Sequence, residues 1–307
     1  MVEEDDYARV MSSRAALSAR VRGEGRREGR NAQAAAALLG PATFIVVLVM
    51  IAPLALLARY SLDRFDPTQL MIETVTPANY ARFFTDPFYV NAMRTTITVA
   101  VSTTAFCLVL ALPLAWRIAR STSRWKSTYM LLVILPLFIG STVRSVGWMI
   151  LFARGGMMDS VGQRLFGWHV DLMYTAIAVV FGIVSINLPI MVLTLQSVFE
   201  GIDSRLEEAA RGLGAAPARA FFRVVWPLAL PGVGIAAILC FILAMNAYAT
   251  PVLLGGPRFQ MMAPLLYWEF ASNNNWPFAG ALAFILMGTT LLLTTLSNTV
   301  IPRRYRA

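Results

Sequence analysis

The residues able to do chemistry in this chain are few, and their arrangement excludes most kinds of it. Cys107 and Cys240 each stand alone in an apolar run, and His169 is the single histidine. No metal-ligand spacing, nucleophile–base pair or phosphate-binding glycine loop accompanies them. What remains suits docking and the handling of a polar solute, not bond making. One such group is the polar, glycine-broken stretch "LEEAARGLGAAP" from Leu206 to Pro217, set between two long apolar runs. A second is Arg144, the one charge in an apolar run, with Trp148 one helical turn on. A third is Asn246, Tyr248 and Thr250, gathered just before Pro251.

The elements that must carry these groups are membrane helices. The chain has 307 residues, 57% of them hydrophobic and only 14% charged, and its mean hydropathy is +0.62. A soluble domain is about one quarter charged. A helix that crosses the bilayer needs about 20 mostly apolar residues. Runs of that kind predict six spans, near residues 37–57, 95–116, 129–152, 175–199, 232–253 and 278–300. The runs are too long for strands and lack period-2 alternation, so the expected class is an all-α membrane protein. A short interfacial helix over "TPANYARFF", capped by Thr76 with Pro77 first, is expected in the outer loop.

The formal net charge of +9 reflects loops that stay in the cytoplasm, not a nucleic-acid partner. Arg117, Arg120, Arg124 and Lys126 fill one short loop; Arg205, Arg211, Arg219 and Arg223 fill another; both tails are also basic. The alternate loops are poorer. Both termini are therefore expected in the cytoplasm, with the Leu206–Pro217 stretch on the same side. Residues 1–35 read as a mobile tail, with a basic membrane-surface helix as the alternative.

Within the polar stretch, Ser204 followed by Glu207 reads as a capping box that opens a helix. Glu207 and Arg211 stand at i, i+4 in the favourable order. Gly212 and Gly214 stop the helix, and Pro217 starts a second short one. Ala218, Phe221, Phe222 and Val225 give the second an apolar face, and Pro227 and Pro231 are expected to end it at the membrane entry. The result is a helix–break–helix at the membrane surface whose alanines permit close approach. An ordinary amphipathic loop would look similar.

Glu208, Ala209, Ala210 and Gly214, followed by Val224 and Pro227, resemble the EAA motif of ABC importer permeases. Val224 stands where that motif has Ile, and Trp226 where it has Leu. The stretches "NYARFFTDPFYVNAMRTT", "STVRSVGWMILFARGG", "ATPVLLGGP" and "WPFAGALAF" resemble the polyamine-type permeases, the spermidine/putrescine importer subunits. The resemblance covers about residues 37–300. It implies a type I ABC importer permease fold, with a permease domain over 36–301, a core over about 91–297, a coupling loop over 203–227 and a short tail at 302–307. It implies that Glu207, Glu208, Ala209, Ala210, Arg211, Gly214 and Pro217 form the coupling helix, which sits in a cleft of an ATPase subunit. It implies as partners an ATPase dimer, a second permease of sister sequence and an extracytoplasmic solute-binding protein, beside membrane lipid. No cofactor is expected on this chain; ATP and its magnesium belong to the ATPase, and the chain is not an enzyme.

For the substrate path the candidates are Asn246, Tyr248, Thr250, Arg144 and Trp148. Polar groups in a span either bond to a neighbouring helix or line a pathway. A charge at membrane depth is costly and faces protein or water. Arg144 reads as a salt bridge or helix-end cap, with substrate contact as the alternative; Trp148 stacks on it or anchors at the interface. Polyamine-type members tend to carry an acidic residue near the "TP" pair, where this chain has Asn246-Ala247-Tyr248. No Asp or Glu falls inside an expected span. Polyamine is the leading substrate; an amino acid, an opine-like solute or an organophosphonate, which Arg144 would suit, are alternatives. Tyr267, Trp268 and Glu269 are placed in the last outer loop, exposed or near the substrate entrance. A self-sufficient secondary transporter is disfavoured by the lack of intramembrane carboxylates.

Overall fold

The computed structural model describes residues 40–300 apart from 42, 168 and 170, so the tails at 1–35 and 302–307 lie outside the described residues. All the described secondary structure is helical except one isolated antiparallel bridge between Arg64 and Ile72. The chain divides into two units, one ending at Arg59 and one beginning at Tyr60. The first contains nearly all of α1 (Thr43–Tyr60), a span whose Phe44, Val49 and Met50 are exposed.

The second unit is built on α3 (Pro87–Ala119), α7 (Ala176–Glu200) and α10 (Trp226–Met245), which pack on one another. Their packing inverts the soluble pattern. Along the middle of α3 the fully buried positions include Ala100, Cys107, Ala111 and Ala115, while Val101, Phe106, Val109 and Leu110 are exposed; larger buried side chains, Tyr89, Met93 and Ile118, lie toward its ends. On α10 the buried positions include Ala229, Ala236, Cys240 and Ala244, while Ile235 and Leu239 are exposed. Lipid tails are as apolar as leucine, so association rests on close packing, and small residues permit it. Gly232 takes this furthest: a Cβ there would lie 2.4 Å from a methyl of Val198 on α7.

Around this centre, α2 (Ala78–Thr85) and α12 (Trp276–Val300) pack together, and α11 (Met262–Ala271) lies against α12 and α3. The interfacial helix expected over "TPANYARFF" is α2, with Pro77 at the cap position and Thr76 Oγ1 accepting from the Ala78 N–H at 3.2 Å. Asp86 restarts the chain by accepting from the Phe88 N–H at 2.9 Å. α3 thus begins eight residues before the expected span. Thr175 caps α7, accepting from the Ala178 N–H at 3.3 Å.

Among the described residues, five helices are long and apolar enough to cross a membrane, and the number is six when the bent pair Lys126–Phe138 with Ser141–Arg164, meeting at 92°, is counted as one span. The expected straight span over 129–152 is therefore broken. Over it lie α4 (Lys126–Ile134), a 3₁₀ turn at Leu135–Phe138 and α5 (Ser141–Phe152), and α6 (Met157–Phe166) follows. Pro136 has no N–H to continue the ladder, and the chain is extended at Ile139 (φ −91°, ψ 122°) before α5 begins.

Two further expectations change. Pro227 and Pro231 do not end the second short helix. α9 (Pro217–Ala220) runs through a π-turn at Phe221–Val225 straight into α10, a continuous helix over Pro217–Met245. The wider turn, in which the Trp226 N–H reaches the Phe221 carbonyl, suits a proline that follows it and supplies no N–H. At its other end α10 stops at Met245, eight residues before the expected boundary. Asn246, Tyr248 and Thr250 therefore lie in and after a break, not in a span, ahead of a π-turn at Pro251–Gly255.

Candidate functional site

The coupling-loop residues fold into α8 (Ser204–Gly212) and its exit turn. The capping residue is Asp203, not Ser204: its carboxylate accepts from the Arg205 N–H at 2.9 Å, which makes Ser204 the first helical residue. Glu207 cannot reach back to close a box because it turns inward. It accepts from Arg211 Nη2 at 2.7 Å and stands 3.5 Å from Arg120 Nε at the end of α3. Arg120 Nη1 also donates to the Ile202 carbonyl at 3.0 Å. One buried carboxylate thus ties α8 to α3. Lys126 and Glu200, 2.8 Å apart, tie the start of α4 to the end of α7 nearby.

The helix ends in a Schellman motif. The Ala215 N–H reaches the Ala210 carbonyl at 3.1 Å, and the Gly214 N–H reaches the Arg211 carbonyl at 2.9 Å. Gly214 sits at φ +86°, which favours glycine. Pro217 opens α9 as expected. With Glu207 turned in, Leu206, Glu208, Ala209 and Leu213 are left exposed, and Leu213 is 91% exposed. Leu206, Ala209 and Leu213 form an apolar strip on that surface, flanked by the exposed Arg205 and Glu208. Phe222 is also exposed, whereas Phe221 packs edge-on against Trp116 with centroids 5.1 Å apart.

Arg144 and Trp148 meet, but on α7 and not on each other. Pro189 lies inside α7 and has no N–H, so the Ser185 carbonyl loses its i+4 donor. Arg144 Nη1 donates to that carbonyl at 3.1 Å. Trp148 Nε1 donates to Ser185 Oγ at 2.9 Å, and its ring stacks on Phe152 at 5.1 Å. Arg144 thus supplies a donor to a carbonyl in the middle of α7, neither the salt bridge nor the helix-end cap expected, and Trp148 stacks on Phe152 and not on Arg144.

Asn246, Tyr248 and Thr250 are not brought together. Thr250 is buried, shares a hydrogen bond with Ser145 at 2.8 Å and fills the space that Gly182 leaves open. Asn246 bonds to the Ile242 carbonyl at 2.8 Å and faces a cavity of about 360 Å³ with Met287 and Thr290. Tyr248 lines another cavity, of about 580 Å³, with Phe88, Gln260, Tyr267, Trp268 and Glu269. Its ring lies 4.8 Å from that of Tyr267.

Glu269 is the residue the sequence reading placed in a loop. It lies on α11 and is 6% exposed. Its Oε1 accepts from the Tyr89 hydroxyl at 3.3 Å and its Oε2 from Asn273 Nδ2 at 3.0 Å. A carboxylate has about four lone-pair sites, so it retains accepting capacity toward the cavity it lines. The available signal was a lone carboxylate in the otherwise uncharged run between Arg258 and Arg303, directly after a tyrosine and a tryptophan.

Residues 78–307 match the family described as the binding-protein-dependent transport system inner membrane component. The chain belongs to this family. It is the permease subunit of an ABC importer, a multi-pass inner-membrane protein, and ATP hydrolysis belongs to a separate subunit. The permease is 30% identical over 256 residues to the spermidine/putrescine transport system permease protein PotB of Haemophilus influenzae, covering 83% of this chain and 88% of that one. It is also 30% identical to PotB of Escherichia coli K12, covering 81% and 92%. Its fold matches a crystal structure of a bacterial ABC transporter involved in import of the acidic polysaccharide alginate, with TM-score 0.75 at 14% identity over 88% of this chain and 95% of that one. A chain of the inward-facing MetNI methionine ABC transporter matches with TM-score 0.54 at 18% identity, covering 69% and 94%. These likenesses establish the type I importer permease fold.

Two outcomes follow from the geometry. Arg144→Met lowers the melting midpoint of the purified permease, and adding Pro189→Ala, which restores an N–H to the Ser185 carbonyl, recovers a large part of the loss. A double-mutant cycle reads the coupling, expected near 1–2 kcal/mol; an additive cycle rejects the capping role. Glu207→Gln speeds amide hydrogen exchange over residues 204–212, whereas Glu208→Lys leaves it unchanged, because only Glu207 holds α8 to the bundle.

Proposed function

We propose that this permease forms the path for a polyamine such as spermidine or putrescine. The observation that carries the reading is Glu269, a carboxylate at a cavity whose wall includes Tyr248, Tyr267 and Trp268. Ammonium groups are held by carboxylates and by aromatic faces, each face worth about 0.5–2 kcal/mol depending on desolvation. That strength suits a path the solute must leave. The names of the relatives at 30% identity support the same class. An anion such as an organophosphonate is less favoured, since Arg144 already commits a donor to the Ser185 carbonyl. Amino acids and opine-like solutes carry a carboxylate of their own, which Glu269 would repel.

In this reading the solute arrives from an extracytoplasmic binding protein, and a sister permease supplies the other wall of the path. An ATPase dimer binds ATP and magnesium and receives the exposed face of α8, with Glu208 as its charged contact and Leu206 and Leu213 as its apolar ones. Both termini, α8 and the loop carrying Arg120 are cytoplasmic, as the Lys and Arg asymmetry favours.

The substrate test is uptake of labelled spermidine by the importer reconstituted with its binding protein. Glu269→Gln, nearly isosteric, lowers uptake roughly tenfold, and Tyr248→Ala lowers it several-fold while Tyr248→Phe is mild; basal ATPase activity and assembly persist. Normal spermidine uptake by Glu269→Gln would overturn the polyamine reading. For α8, Ala209→Cys reacts with a membrane-impermeant maleimide only after the membrane is opened, and Glu208→Lys abolishes binding-protein-stimulated ATP hydrolysis. Labelling of intact cells, or stimulation at the normal level, contradicts the orientation or the docking role respectively.

A further inference from the structure

A cavity of about 650 Å³ lies at the end of the bundle that carries α8, between the last turns of α3 and the start of α4. Its walls differ sharply along its depth. Arg117, Arg120, Ser121 and Ser123 supply two guanidinium groups and two hydroxyls. Leu114, Leu132 and Val133 continue the wall toward the apolar part of the spans, and Leu114 and Leu132 are exposed there as lipid-facing side chains are. No acidic residue lines it.

Two donors at this cavity are unspent. Arg120 directs Nε toward Glu207 and Nη1 to the Ile202 carbonyl, while its Nη2 is buried with no hydrogen-bond partner among the described residues. The indole Nε1 of Trp116, which lines the same cavity, is buried in the same condition. A buried donor without a partner costs about 1–3 kcal/mol, so two in one wall favour a small turn of these side chains toward an acceptor held in the cavity. Guanidinium groups, hydroxyls and an indole N–H together match the oxygens of a phosphate. The apolar wall below matches an acyl chain. A free phosphate ion would leave that wall unused.

We propose that this cavity binds the headgroup of an anionic phospholipid, with Arg117, the Nη2 of Arg120, the Nε1 of Trp116 and the two serines around the phosphate. The inference is independent of which solute the importer carries. It gives the lipid a mechanical connection: Trp116 packs edge-on against Phe221 of the π-turn, and Arg120 holds Glu207 of α8. An occupied site fixes the two side chains on which the coupling helix rests. The bilayer then acts as a ligand of the coupling unit.

The test uses the assembled importer in nanodiscs of mixed phosphatidylglycerol and phosphatidylcholine, followed by native mass spectrometry of the released complex. The wild type is expected to retain phosphatidylglycerol in preference to phosphatidylcholine. Arg117→Gln, on an exposed side chain, and Trp116→Phe, which keeps a ring against Phe221 while removing the N–H, each reduce that retention by roughly tenfold. Size-exclusion chromatography confirms that both variants assemble. Equal retention of the two lipids overturns the proposal, as does retention unchanged in both variants. Displacement of phosphatidylglycerol by millimolar inorganic phosphate assigns the site to a free anion and rejects the lipid.

Discussion

The close approach of α3, α7 and α10 is the constraint on which the rest of the permease depends. In a bilayer, leucine gains nothing by leaving lipid for protein, so helices hold together through contact density and hydrogen bonds. The middle of the buried faces of α3 and α10 is accordingly rich in alanine and cysteine, and many large side chains there are turned outward. Gly232 against Val198 and Gly182 against Thr250 mark the places where even one methyl has no room. That tight centre fixes the axes of the three helices. The sites at their ends inherit their geometry from it.

Polar groups in this fold mostly serve the backbone. Pro189 removes one N–H from α7, and Arg144 supplies the missing donor from another helix. Thr96 on α3 accepts from the Met262 N–H at 2.9 Å at the start of α11. Asn187 on α7 reaches the Cys240 carbonyl on α10 at 3.4 Å. Each replaces a donor or acceptor that hydrocarbon cannot provide. A charge in a span therefore does not by itself mark a substrate path, and Arg144 illustrates why. Glu207 follows the same logic at the membrane surface. In the pair Glu207-Glu208 the first is consumed in holding α8 and the second is exposed.

Much was legible in sequence because it is local. The helix α8, its glycine exit at Gly214, the proline start at Pro217 and the short helix α2 each depend on a few neighbouring residues. Other boundaries were missed where two local signals competed. Asp203 and Ser204 are both good caps, and the choice was decided by Glu207 being drawn to Arg120 at the distant end of α3. The apolar run after Pro231 continues to Leu254, so hydropathy does not reveal that the helix stops at Met245. Glu269 was placed in a loop because nothing nearby announces its partners. Tyr89, which donates to it, is 180 residues distant.

Composition, hydropathy period and the spacing of prolines, glycines and caps determined that this chain is a helical membrane protein with a docking loop, because bilayer thickness and backbone hydrogen bonding act on segments. Tertiary structure alone decided which of two adjacent glutamates faces inward. It separated Asn246 from Tyr248 and Thr250, turned Arg144 into a cap for a carbonyl on another helix and brought a lone carboxylate to a cavity walled by Tyr248 and Tyr267. Those outcomes depend on contacts between residues far apart in the chain, whose distances are set only once the small-residue seam has closed.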